Sequence, residues 1–127
     1  YVLSARDALK EMDAFEEHVC FIGYTHFPCT FDREESGSRL GSDDVEPGLR
    51  FRCDPEIAVQ PGHPYLVNVA SVGEAPDGDP RACYALYDDE AASIRIVRLA
   101  YDVEGAMRRI VNAGLPEFLA ERLQWGE

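Results

Sequence analysis

Between Val19 and Tyr101 the apolar residues come in runs of strand length, each closed by glycine, proline or acidic residues. Helical spacing is confined to the two ends, so the middle of the chain must be built from short strands. At the front, Ser4-Ala-Arg-Asp7 resembles a capping box, and Ala8, Leu9, Met12 and Phe15 predict a helix through about Ala14. Val19–Gly23 reads as a short buried strand. "LRFRC", "EIAVQ", "YLVNVAS", "ACYALYD" and "SIRIVRLAY" follow as further strands, the last two forming a hairpin across "DEAA". Ile94 and Ile96, alternating with Arg95, predict one buried and one wet face.

At the back, Asp102 is placed to cap a helix whose apolar stripe is Val103, Ala106, Met107, Ile110 and Val111. Gly114 suits the position after its last turn, and Pro116 suits the first turn of a second helix carrying Leu119 and Leu123, with Leu115 on the same side. Residues 32–48 turn polar, with Gly, Ser, Asp and Pro throughout, and read as a mobile loop. No repeat is present. The expected class is α+β, a single domain over residues 1–127 with mostly antiparallel or mixed strands and two C-terminal helices.

Composition narrows the function. Against 12 Lys and Arg stand 24 Asp and Glu, a formal charge of -12, which repels nucleic-acid backbones and anionic membranes. No apolar run approaches the roughly 18 residues that cross a bilayer, and no basic-then-apolar leader is present. Cys20, Cys29, Cys53 and Cys83 show no C-x-x-C spacing, so they are expected to be reduced thiols of a cytoplasmic protein, with Cys20 and Cys83 inside strands.

The stretch "CFIGYTHFPC", residues 20–29, is where chemistry is expected. On an extended backbone residues i and i+2 point to one face. A strand ending in G-H-x-H therefore aims two imidazoles into one site, where two metals sit roughly 3.5–4 Å apart. Here those two places hold Tyr24 and His26. Taken alone, G-Y-T-H is a weak signal and reads first as a strand that ends in a turn, with His26 making a local hydrogen bond.

The order of "FIGYTHFPCTF", "YLVNVASVGEAPDGDPRACYALYD" and "YDVEGAMRRIVNAGLPEFLAERL" is more specific. It resembles the C-terminal half of the calcineurin-like metallophosphoesterases, in the branch of bacterial proteins related to diadenosine tetraphosphatase. In that family the segments usually read G-H-T-H with a following proline, then N-x-G-S-V-G and D-G-D-P-R, then Y-D before an amphipathic helix and A-G-L-P. The resemblance implies a four-layer α/β/β/α sandwich, of which this half supplies mainly one sheet and its outer helices. It implies a hydrolase with two divalent metals (Mn, Fe or Zn) acting on a phosphomonoester, a phosphodiester or a nucleotide polyphosphate.

Residue by residue, the resemblance makes His26 a metal ligand. Tyr24 stands at the other ligand's place, and a neutral phenol is a poorer ligand than an imidazole near neutral pH. Tyr24, Asn68 and Ser71 are then expected to contact substrate or to support the metal ligand, Asn68 and Ser71 by bracing the His26 turn. Ala70 stands where the family has glycine, and a positive φ there would cost about 1 kcal/mol. Pro76 replaces an arginine. The family's upstream D-x-H, bridging Asp and G-N-H motifs have no counterpart in the sequence, which begins at Tyr1 rather than at Met. The chain is therefore expected to carry part of a site, inactive alone, with a bare inner sheet face that promotes self-association.

The alternative is a non-catalytic binding module that has lost its metals, for which Tyr24, Ala70 and Pro76 speak. Other polar residues have plainer readings. His63 is expected in an exposed turn and His18 at a helix exit. Asp43, Asp44, Asp88, Asp89 and Glu90 read as solvated charges. Asp77, Asp79 and Arg81 either line a cleft or satisfy their own turn.

Overall fold

Two sheets and three helices account for the regular structure of residues 1–33 and 48–127, which the computed structural model describes. Helix α1 (Ala5–Met12) starts where the capping box predicts it. The Ser4 hydroxyl accepts from the Asp7 amide at 3.2 Å, and the Asp7 carboxylate accepts from the Leu3 amide. The helix ends two residues earlier than its apolar spacing suggests.

Sheet A runs in the order β1 (Val19–Ile22), β5 (Tyr65–Asn68), β2 (Cys29–Arg33), β3 (Leu49–Arg52). β1 and β5 are parallel, with Val19 opposite Tyr65 and Ile22 opposite Asn68, while β2 is antiparallel to both of its neighbours. Sheet B runs β4 (Glu56–Ala58), β7 (Ser93–Leu99), β6 (Ala82–Asp88), all antiparallel, and β6–β7 is the expected hairpin.

The period-two alternation of the strands sorts the core into two layers. On one face of sheet A, Leu66, Phe31, Cys29 and Leu49 pack with Ala8 and Met12 of α1. On the other, Tyr65 and Val67 pack with Ile57, Val59 and Ile94 of the second sheet region. Ile94 is fully buried and Arg95 exposed, as alternation predicts. The expectation of mainly one sheet with a bare inner face is corrected in part: the described residues hold two sheets, and Tyr65 and Val67 pack on Ile57, Val59 and Ile94, while Phe21, Leu86 and Leu99 stay exposed.

β2 was not expected. Residues 34–47 of the loop predicted over 32–48 lie outside the described residues, but Asp32 and Arg33 belong to β2. Asp32 is fully buried, a residue type that reads as loop. The arginines of the neighbouring strand reverse that. Arg50 Nε donates to Asp32 Oδ2 at 2.6 Å, and Arg52 Nε approaches Oδ1 at 3.0 Å. Burying a carboxylate is tolerable when it is paired in this way.

Helices α2 (Val103–Asn112) and α3 (Phe118–Trp125) pack on each other. Asp102 caps α2 by accepting from the Gly105 amide at 2.8 Å, and Gly114 takes φ 73 just past its end. Pro116 sits before the α3 cap, Glu117, rather than inside the first turn. Gly126 ends α3 at φ 67 and has no room for a Cβ, which would come within 2.6 Å of the Asp79 amide nitrogen. The Gly78 amide donates to the Gly126 carbonyl at 2.9 Å, docking α3 onto the loop before β6.

Candidate metal-site wall

Parallel pairing of β1 and β5 brings their C-terminal ends to one edge of sheet A, so the loops that follow lie side by side. This is the usual place for a ligand on parallel strands. The Val69 amide donates to the Ile22 carbonyl at 3.1 Å, and the Cys83 amide to the Ser71 carbonyl at 2.8 Å. The second bond ties the same edge to sheet B.

Asn68 joins the two loops. It is the last residue of β5, nearly inaccessible at 2%, and its amide donates to the Gly23 carbonyl at 3.2 Å and to Thr25 Oγ1 at 2.8 Å. Its oxygen accepts from the Ala70 amide at 3.1 Å. Thr25 Oγ1 also accepts from the Phe27 amide at 3.4 Å, so the Tyr24–Phe27 turn is folded around one hydroxyl and one amide side chain.

That turn is strained. Tyr24 has φ 83 and His26 φ 60, and Ala70 in the facing loop has φ 66. Non-glycine residues pay roughly 1–2 kcal/mol for the left-handed region. Strain of this kind clusters at ligand sites and persists where surrounding contacts over-determine it. The positive φ foreseen as a cost at Ala70 is present. It follows from the hydrogen bond that the Ala70 amide makes with Asn68.

His26 is half-buried and, among the described residues, makes no hydrogen bond or ion pair. Tyr24 is 62% exposed and stacks on Tyr1 with ring centroids 4.0 Å apart. Ser71 does not reach the His26 turn. Its hydroxyl accepts from the Gly73 amide at 3.2 Å and the Glu74 amide at 3.0 Å, so, three residues past the end of β5, it folds its own loop.

The next loop is built differently. Asp77 pairs with Arg98, whose Nη1 donates to Oδ1 at 3.3 Å. Arg81 Nη2 donates to Asp79 Oδ2 at 2.6 Å, and this hydrogen bond brings the Asp79 carboxyl down to about 2. Glu74 meets Arg122 of α3 at 2.5 Å. Asp77 and Asp79 also accept from backbone amides two residues on. Of the two readings left open for this segment, the turn satisfies itself.

His18 Nε2 lies 2.7 Å from the Gln60 carbonyl oxygen and packs edge-on to Tyr65. His63 is half-buried rather than exposed, because its turn leads directly into the central strand β5. Asp88 Oδ1 accepts from the Ala91 amide and so shapes the hairpin turn. The four cysteines are free. The shallow grooves along α3 and between α2 and α3 take no residue from either loop at the sheet edge.

Among the described residues no group of three or more His, Cys, Asp or Glu converges. One imidazole does not hold a hydrolytic metal, which takes roughly three protein ligands or more. The residues present do not by themselves fit a metal centre.

No protein-family model matches the chain. A solved metallophosphoesterase from Sphaerobacter thermophilus matches it over 100% of its length at 30% identity and a TM-score of 0.79. An uncharacterized protein of Methanocaldococcus jannaschii is 35% identical over 108 residues, 85% of this chain. The chain spans 50% of the first protein and 39% of the second. Its α+β architecture is that of half a metallophosphoesterase fold. No helix among the described residues is long and apolar enough to cross a membrane.

Proposed function

We propose that the chain forms one wall of a metal-dependent phosphoesterase site in a cytoplasmic protein of the branch related to diadenosine tetraphosphatases. His26 contributes one metal ligand, and Asn68 holds the turn that presents it. The other ligands come from a polypeptide half that this chain does not contain. The substrate is a small phosphate ester or nucleotide polyphosphate rather than a nucleic acid, in keeping with the charge of -12.

The supporting observation is local. Three left-handed non-glycine residues meet at the ends of two parallel strands around an imidazole that has no partner among the described residues, in a chain similar throughout to a metallophosphoesterase. Divalent Mn, Fe or Zn would polarise the phosphoryl oxygen and supply hydroxide. Tyr24 favours one metal held through His26 over two held symmetrically, and its exposed ring is placed to meet substrate.

The test is a chimera joining this chain to the unmatched half of the Sphaerobacter thermophilus protein, assayed with Mn²⁺ and bis(p-nitrophenyl) phosphate. His26→Ala is expected to lower turnover on the order of 100-fold or more. Tyr24→His is expected to raise Mn²⁺ affinity. A folded chimera that is inactive with either residue at position 24 would sink the enzymatic reading.

That result would favour a binding module without metals. The stacking of Tyr24 on Tyr1 supports this second reading, since it directs the ring at another ring. Calorimetric titration of the chelator-stripped chain with Mn²⁺ separates the contributions: one wall alone is expected to bind no more tightly than millimolar.

A further inference from the structure

Two of the cysteines are brought together by strand register. β2 and β3 are antiparallel, with Thr30 opposite Arg52 and Phe31 opposite Phe51. The ladder's last pair is Thr30 with Arg52, and continuing its register by one step would set Cys29 opposite Cys53, the residue directly after β3. Directly opposed residues have Cα atoms about 4.5–5.5 Å apart and side chains on one face. A disulfide needs about 4.4–6.8 Å between Cα atoms.

Contact across this face is already made two residues along, where the Phe31 and Phe51 rings lie 5.2 Å apart. Cys29 also senses Cys53, whose own thiol is raised by burial and by Asp54. Burial and then Cys53 push the Cys29 thiol up to about 11.

We propose that Cys29 and Cys53 are a redox modification site, a cross-strand dithiol that closes to a disulfide when a small-molecule disulfide reacts with it. Cys53 is exposed and Cys29 buried, which sets the order of events. The Cys53 thiolate attacks one sulfur of the oxidant, forming a mixed disulfide and expelling the first small thiolate. Cys29, having given its proton to solvent, then attacks Cys53 Sγ and expels the second. Two protein thiols become one disulfide, and one small disulfide becomes two small thiols.

Burial of Cys29 leaves Cys53 as the thiol that an oxidant meets first. The consequence is local to the metal-site wall. Cys29 follows Pro28 at the end of the His26 turn, and β3 is an edge strand, so closure fastens the turn's exit to the sheet margin. The phosphoesterase reading does not enter this argument.

The experiment equilibrates the reduced chain with glutathione disulfide and reads intact mass, thiol-linked peptides and Tm. The expected product has lost two hydrogens, carries a Cys29–Cys53 cross-link, and melts higher by on the order of 10 °C. Cys53→Ser, at an exposed position and so compatible with folding, is expected to show none of these changes. Cys29→Ser is expected to stop at a glutathionyl group on Cys53. A parent chain that stops there too, a cross-link to Cys20 or Cys83 instead, or an unchanged response in Cys53→Ser would each overturn the proposal.

Discussion

The Tyr24–Phe27 turn and the Pro76–Arg81 loop both lie outside the regular elements, and they solve the problem of a polar turn in opposite ways. In the second, a glycine takes the left-handed position (Gly78, φ 82) and every charged side chain is consumed by a neighbour. In the first, Tyr24 and His26 take that position themselves, one buried amide holds the backbone, and the imidazole has no partner among the described residues. A turn that only has to connect satisfies itself with glycine and salt bridges. Strain held by non-glycine residues in this way is the pattern that clusters at ligand sites, and it is what the proposed role of His26 rests on.

The difference is sharpened most by removing what each loop depends on. Arg98 and Asp77 are 17% and 8% exposed, so Arg98→Ala strands a nearly buried carboxylate. The expected loss is about 3 kcal/mol, read from the urea midpoint. Asp77→Asn in the Arg98→Ala background is expected to recover most of it. A loss below about 0.5 kcal/mol would mean that the loop does not rest on its ion pairs.

Asn68→Ala comes next, at about 2 kcal/mol, because it orphans the Ala70 amide and the Gly23 carbonyl together. Its more telling readout is the turn. Amide exchange at Phe27 is expected to accelerate in this variant and to stay unchanged in Arg98→Ala, since the two loops share no side-chain bond among the described residues. Faster exchange in both variants would erase the distinction.

Ala70→Gly acts with the opposite sign. Glycine relieves the left-handed strain at φ 66 but loosens the unfolded chain, so the net gain is about 0.5 kcal/mol. A destabilised Ala70→Gly would show that the methyl group, 7% exposed, contributes more by packing than it costs in strain.

The sequence made the local devices legible and the tertiary ones opaque. Ser4 with Asp7, Asp102, Gly114 and the β6–β7 hairpin were readable because each depends on residues within a few positions. Ala70 was readable as a strained position only through a resemblance that puts glycine there. β2 was invisible, since Asp32 is a strand residue only once Arg50 and Arg52 arrive from across the sheet. The strands of the second sheet were readable, "EIAVQ" among them, but not that they form a sheet of their own, which rests on the long-range pairing of Ile57 with Ile94. Asn68 and Ser71 were both expected to brace the His26 turn; Asn68, at the strand end, crosses to it, while the Ser71 hydroxyl accepts from amides of its own loop.

The smallest effect tests the self-satisfied loop by pH. Asp79 drops from an ordinary value of 3.8 to about 2, first through its hydrogen bond to Arg81 and against a weaker opposing effect of burial. A carboxyl depressed by folding stabilises the folded state fully above its unfolded value and loses that contribution as pH falls through the folded value. The parent is therefore expected to hold a small, constant advantage over Asp79→Asn above about pH 4. That advantage shrinks between there and about pH 2. Both partners face solvent, at 28% for Asp79 and 53% for Arg81, so salt screening is expected to narrow the gap as well. Parallel acid-unfolding curves for the two proteins would mean that Arg81 is bound to Asp79 for geometry alone. The Arg98–Asp77 pair would then be the charge contact on which the loop stands.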